Sequence, residues 1–192
     1  MKSRAIALRI AVAAMLVALS LVTSMLPSLP GPITKFSGFP LLLAGLLVGP
    51  RTAFAVGCLT DFIGFAVRPT GPFFPGFTLT QELTAMIPAL FTLKRDPFTW
   101  RSTRSEERRP VGGMIGSYFR LLGIFAVTQV ITSVVMVSFF RRELFNMPLD
   151  VELVHRALAQ AAHVPLYALM ALLILQALSQ RELFKRLLTA RR

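Results

Sequence analysis

The sequence contains a single cysteine, Cys58, among 192 residues. One cysteine excludes an internal disulfide and any metal centre built on paired thiolates. Charge is scarce too. Only 16% of residues are Asp, Glu, Lys or Arg, against roughly 25% in an ordinary soluble domain. No Gly-rich loop ending in Gly-Lys-Ser/Thr occurs, so the chain carries no P-loop of its own. The histidines, His155 and His163, have no His-Glu-x-x-His context. No nucleophile–base pair and no metal site emerge from spacing, and no cofactor is expected. His163 reads as a satisfied internal polar contact, and Cys58 as a small hydrophobe.

What is present is apolar. Hydrophobic residues make up 54% of the chain, in long runs separated by short Pro/Gly or basic stretches. That excludes a disordered chain and an ordinary soluble enzyme. The expected architecture is an all-α integral membrane protein, one membrane domain over residues 1–192. A helix needs about 20 apolar residues to cross roughly 30 Å of hydrocarbon. Six spans are predicted, over residues 10–26, 39–48, 52–67, 77–93, 117–140 and 151–178. Pro27, Pro30, Gly31 and Pro32 end the first, and Gly49-Pro50 the second. Arg68-Pro69-Thr70-Gly71-Pro72 ends the third, and a polar loop over 94–110 follows the fourth. The second segment is too short to span at about 1.5 Å per residue. It reads as a short helix in a thinned or protein-lined region, or as half of a re-entrant pair with the third. Residues 1–26 share a basic start with secretory signals. Their uncharged run exceeds the apolar core of such signals, and no small-x-small cleavage site follows. They read as the first span.

The net charge is +12, which in a membrane protein is a topology signal rather than a nucleic-acid signal. No nucleic-acid partner is expected. Lys2, Arg4 and Arg9 lie at the start, six Lys/Arg lie in the 94–110 loop, and Arg181, Lys185, Arg186, Arg191 and Arg192 lie at the end. Cytoplasmic segments collect such residues. All three clusters share one side only if an even number of spans separates them. Six spans satisfy this, with both termini cytoplasmic. A Ser105→Cys variant in a Cys58→Ser background is therefore expected to resist an impermeant maleimide in intact cells. It should label once the membrane is opened.

Ionisable groups within a span cost about 2.5–3.5 kcal/mol on insertion scales, so they call for a partner or a function. Gly57, Asp61, Gly64 and Arg68 share one helix face, and Thr78, Gln81, Glu82 and Ala85 share another. Gln129, Thr132, Ser133 and Met136 form a third, and Arg156, Gln160, His163 and Tyr167 a fourth. Such spacing places side chains one above the other on one helix face. On the six-span topology these faces occupy the outer half of the membrane and would line a pocket open to the outside. The bland alternative is that Asp61 or Glu82 pairs with Arg156 and holds the bundle together. Phe73, Phe74 and Phe77 lie in a Pro/Gly-stiffened loop, with Phe36 and Phe39 on the first outer loop. Planar ligands stack on such rings; interfacial anchoring is the alternative, though Trp and Tyr are the preferred anchors. Ala7, Ala11, Ala14 and Ala18 form a small-residue stripe on the first helix. Such stripes permit close helix–helix approach in lipid, either to this protein's own helices or to another membrane protein.

Three runs in the sequence point to a family: Leu43-Ala44-Gly45-Leu46-Leu47-Val48-Gly49-Pro50, Asp61-Phe62-Ile63-Gly64, and Gly71-Pro72-Phe73-Phe74-Pro75-Gly76-Phe77-Thr78. They resemble the folate-type S components of energy-coupling factor (ECF) transporters. The third run is the more specific, and the first two recur more widely among S components. The Ala14-x-x-x-Ala18 motif, the length and the six spans extend the likeness over the whole chain. Arg156 and Pro165 are similar to an Arg and a Pro of the family's last helix. The resemblance implies a multi-pass protein of the bacterial cytoplasmic membrane that captures a vitamin from outside. Its partners would be a transmembrane coupling subunit, facing the alanine stripe, and two cytoplasmic ATPase subunits.

Two departures stand out. Lys35 occupies a place where the family usually carries Arg, and lysine offers a point charge, not a bidentate fork. Thr132-Ser133 or Ser133-Val134 stands where the family often has Asn-Thr. Another flat vitamin or a modified folate thus stays open. For folate itself the chemistry is compatible. Asp61 or Glu82 would accept from the amide/amidine edge of the pterin. Lys35, Arg68 or Arg156 would meet its carboxylates, with Gln81, Gln129 and Gln160 lining the pocket. The rivals are a membrane scaffold or assembly protein, with the polar residues as internal glue, and an intramembrane enzyme. Both predict no bound small molecule.

Overall fold

The computed structural model describes residues 2–25, 36–69, 73–93 and 111–179. Lys35, residues 70–72 and the basic 94–110 loop, all invoked above, lie outside the described residues. Among the described residues every element is helical. In chain order they are α1 (Lys2–Met25), α2 (Gly38–Val48), α3 (Pro50–Val67) and α4 (Pro75–Leu93). Then follow α5 (Val111–Gln129), a π-helical stretch (Val130–Met136), α6 (Val137–Phe145) and α7 (Leu149–Ser179). α5, the π stretch and α6 run on without a break, giving six rods.

The local chemistry explains the breaks. Gly49 has φ 83° and ψ 166°, a region that is essentially glycine's alone. It turns the chain from α2 into α3 in one residue, and Pro50 opens α3 where its missing N–H costs nothing. Arg9 seals the junction from α1. Its Nη2 donates to the Val48 carbonyl at 2.8 Å and to Thr52 Oγ1 at 3.2 Å. That satisfies one of the carbonyls a helix end leaves open. Asn146 ends α6 in the left-handed conformation, φ 51°, which Asn tolerates better than most residues.

α2 is apolar on every side because it is buried on every side. It packs among α1, α3 and α4, which is the protein-lined condition a short segment requires. The π stretch, α6 and α7 form a second group with α5, and α4 packs against both groups. One core runs through the bundle, with Leu16, Leu42, Leu46, Leu121, Phe125 and Tyr167 at its centre. The outside is also apolar. Ile10, Phe119 and Leu158 are each more than 60% exposed, more than a water-soluble surface normally tolerates in continuous patches. Three helical rods, Ile6–Met25, Met114–Phe145 and Leu149–Leu178, are each long and apolar enough to cross a membrane.

α3 and α4 meet closely at Gly57. A methyl group there would lie 2.6 Å from Glu82 Cα and 2.7 Å from the Gln81 carbonyl oxygen. Backbone cannot yield as a flexible side chain does, and overpacking typically costs 1–3 kcal/mol. Gly57→Ala is expected to lower the melting temperature of the purified protein by several degrees, whereas Gly123→Ala, at an open site, should not. Equal melting temperatures would show that the α3–α4 seam is looser than its geometry.

Candidate functional site

Three polar clusters are built from the C-terminal half of α3, the N-terminal half of α4, the π stretch with α6, and α7. The first is the α3–α4 seam. Asp61, half-buried, accepts a hydrogen bond from Thr78 Oγ1 at 2.6 Å. Gly57 brings the backbone of Gln81 and Glu82 against α3. The Glu82 side chain is buried. Two carboxylates therefore share this seam.

The second cluster is aromatic and amide-rich. His163 stacks on Tyr167, with ring centroids 5.4 Å apart and planes 23° apart. Phe36 meets both rings edge-on, and Phe39 lies against Tyr167 at 5.5 Å. On the same face of α7, Gln160 Nε2 donates to Ser133 Oγ at 2.8 Å. Ser133 belongs to the π stretch, whose wider winding often marks functional sites. Gln129 precedes that stretch and is buried, its Nε2 close to Gly38 at the start of α2. Residues from α2, the π stretch and α7 thus converge.

This cluster has unused hydrogen-bonding capacity. Gln160 Oε1 and both ring nitrogens of His163 are buried, with no geometric hydrogen bond among the described residues. His163 is only 4% exposed. An unsatisfied buried polar group costs roughly 1–3 kcal/mol. His163 is an internal residue, as expected, with its ring stacked on Tyr167.

The third cluster is charged. Glu152 Oε1 accepts from Arg156 Nε at 2.7 Å and from Arg141 Nη1 at 2.8 Å. Arg156 therefore pairs with Glu152, not with Asp61 or Glu82, and the bland reading that joined those residues fails. The geometric reason is spacing, since Glu152 and Arg156 are one helical turn apart on α7. Arg156 keeps four N–H groups without an acceptor among the described residues. Arg68 ends α3, is exposed, and forms no ion pair among the described residues.

The phenylalanines do not form one open mouth. Phe73 stacks on Phe62 at 5.5 Å and meets Phe65 edge-on. Phe74 and Phe77 instead pack against each other and against Phe140 of α6. Gln81 is half-buried beside the α3–α4 seam. The alanine stripe points outward. Ala7, Ala11, Ala14 and Ala18 are all exposed, while Leu16, Val17 and Ser20 face the bundle. The stripe is not packed against the other described helices.

Glu152 was absent from the sequence-based candidates, although a Glu followed four residues later by Arg is a legible helical pair. Tyr167 and Ser133 were on the polar faces but were not singled out as site residues.

A family model described as "ECF transporter, substrate-specific component" matches residues 8–188. The chain belongs to this family. A curated relative, "Folate transporter FolT" of Clostridium novyi (strain NT), is 34% identical over 80 residues. That match covers 41% of this chain and 46% of the relative, so the chain spans about half the length of the curated relative it matches. A solved structure described as FolT bound with folic acid superposes with a TM-score of 0.62. It covers 85% of this chain and 91% of that one at 18% identity, which speaks for a shared fold. A substrate-specific component captures its cargo for transport and does not convert it.

Proposed function

We propose that this substrate-specific component captures folate, or a close folate analogue, from the outer face of a bacterial cytoplasmic membrane. The observation that carries the reading is the set of buried polar atoms on Gln160 and His163 with no geometric hydrogen bond among the described residues. They sit beside the rings of Phe36 and Tyr167, one to two turns from the spare donors of Arg156. A flat heteroaromatic ring with hydrogen-bonding edges and an anionic tail matches that order of groups. The names of the curated relative and of the superposed structure support the same cargo. In this reading the pterin edge meets the amide–imidazole cluster and the carboxylates Asp61 and Glu82. The tail points toward Arg156, with Lys35 and Arg68 at the entrance.

The six rods are six crossings with both termini cytoplasmic, forming one membrane domain. Transport energy comes from two cytoplasmic ATPase subunits through a transmembrane coupling subunit that docks on the alanine stripe. Mass spectrometry of small molecules released from purified protein, followed by calorimetric titration with folic acid, tests the cargo. A released folate and saturable binding are expected. A different released vitamin would transfer the site to that cargo, and a protein that carries and binds nothing would favour a scaffold.

A further inference from the structure

Glu152 holds one oxygen between two guanidinium groups, Arg141 from the middle of α6 and Arg156 from the next turn of α7. The carboxylate is mostly buried, at 13% side-chain exposure, against 21% for Arg156 and 33% for Arg141. Two cations share one anion, so the group keeps a net positive charge. The second oxygen, Oε2, has no partner among the described residues. Leaving two partly dehydrated guanidinium groups without an anion is costly, because a charge stripped of water needs a paired counter-charge. A glutamate side chain also has the same chemistry as either end of an α,γ-dicarboxylate tail.

Resting on the folate reading above, we propose that Glu152 is an internal stand-in for the ligand's anionic tail. It neutralises Arg141 and Arg156 when the site is empty and is displaced from Arg156 when a carboxylate arrives. The consequence is an exchange that only an anionic ligand undergoes. A ligand with an anionic tail replaces one ion pair with another, and the arginines are never left bare. A ligand with a neutral tail cannot make that exchange and leaves Glu152 where it is. The cost is affinity, since the tail must compete with a tethered carboxylate at high effective concentration. Glu152 keeps the empty site neutralised in this scheme and tempers its affinity for anionic tails. It does not itself hold the ligand.

The test compares folic acid with its dimethyl ester, which keeps the ring system and masks both charges. Each is titrated calorimetrically into wild-type, Glu152→Gln and Glu152→Ala protein. Glutamine keeps the size and one acceptor oxygen and removes the charge, so the fold is held; alanine checks that the result does not depend on the amide. Both variants are expected to bind folic acid about tenfold more tightly than wild type, the order expected for removing one nearby like charge. Binding of the dimethyl ester should change less than twofold. Weaker folic acid binding in both variants would overturn the proposal and make Glu152 a clamp that positions the arginines. Equal changes for the two ligands would also overturn it. Wild-type protein that binds neither ligand sinks the folate reading and this inference together. Wild-type binding with unimproved variants sinks the exchange alone.

Discussion

Replacing Ala14 or Ala18 with Trp is expected to abolish vitamin uptake while leaving ligand binding to the isolated protein near wild type. The chain has no P-loop motif, and in the proposed function energy arrives through contact with another subunit. α1 carries the small-residue stripe, and the stripe is exposed along its length. In lipid, helices associate through close packing rather than hydrophobic burial, and small residues are what permit it. A Trp side chain at Ala14 or Ala18 holds a partner helix several ångströms away. The inner side of α1 is untouched by the change. Leu16 and Val17 remain in the core, and Ser20 Oγ keeps its hydrogen bond to the Ser37 carbonyl at 3.0 Å. That bond anchors the segment leading to Phe36 and Phe39, so the change leaves the binding cluster in place. Ala11→Trp belongs to the same series, and Ile10→Trp, beside the stripe, serves as a control for bulk alone. The measurements are uptake in whole cells, co-purification with the coupling subunit, and calorimetry on the isolated protein. Loss of binding with assembly intact would show that α1 belongs to the site and that docking uses another face.

How much of this was legible in the sequence differs from element to element, for physical reasons. The α2–α3 break is written in Gly49-Pro50, because few other residues permit that backbone and that helix start. The face formed by Arg156, Gln160, His163 and Tyr167 is written in the 3.6-residue period, and all four side chains are buried or half-buried. The π stretch is not written anywhere. Val130–Met136 has the same apolar composition as the α-helix around it, and only the packing of α7 against it shows that Ser133 reaches Gln160. Partner choice is the other blind spot. Asp61, Glu82 and Glu152 are equally plausible acceptors for Arg156 by charge. The decision rests on one-turn proximity along α7 and on Arg141 arriving across the Asn146 turn. The phenylalanines show the same limit. Phe73, Phe74 and Phe77 lie within five residues, the first two before α4 and Phe77 in its first turn, but their partners, Phe62, Phe65 and Phe140, come from two other helices. Local sequence therefore could not show that the group divides.

Arg156→Ala and Asp61→Asn are expected to weaken ligand binding by about ten- to a hundredfold while changing the amount of folded protein little. The magnitude is that of a hydrogen bond to a charged group, roughly 1.5–3 kcal/mol. The structure makes the two effects separable. Without Arg156, Glu152 still has Arg141 at 2.8 Å, so no carboxylate is stranded and the fold keeps its cross-helix pair. In Asp61→Asn the amide oxygen still accepts from Thr78 Oγ1, and only the charge and one acceptor are lost. Each substitution thus removes what a ligand would use and spares what the bundle uses. The ligand should also discriminate between them. The dimethyl ester of folic acid has no charge for Arg156 to meet, so Arg156→Ala should barely affect it. Asp61→Asn should weaken both forms, because both keep the pterin edge. Detergent-solubilised yield and melting temperature report the fold, and calorimetry reports binding. Variants that lose yield but bind normally once folded would return Asp61 and Arg156 to a structural role.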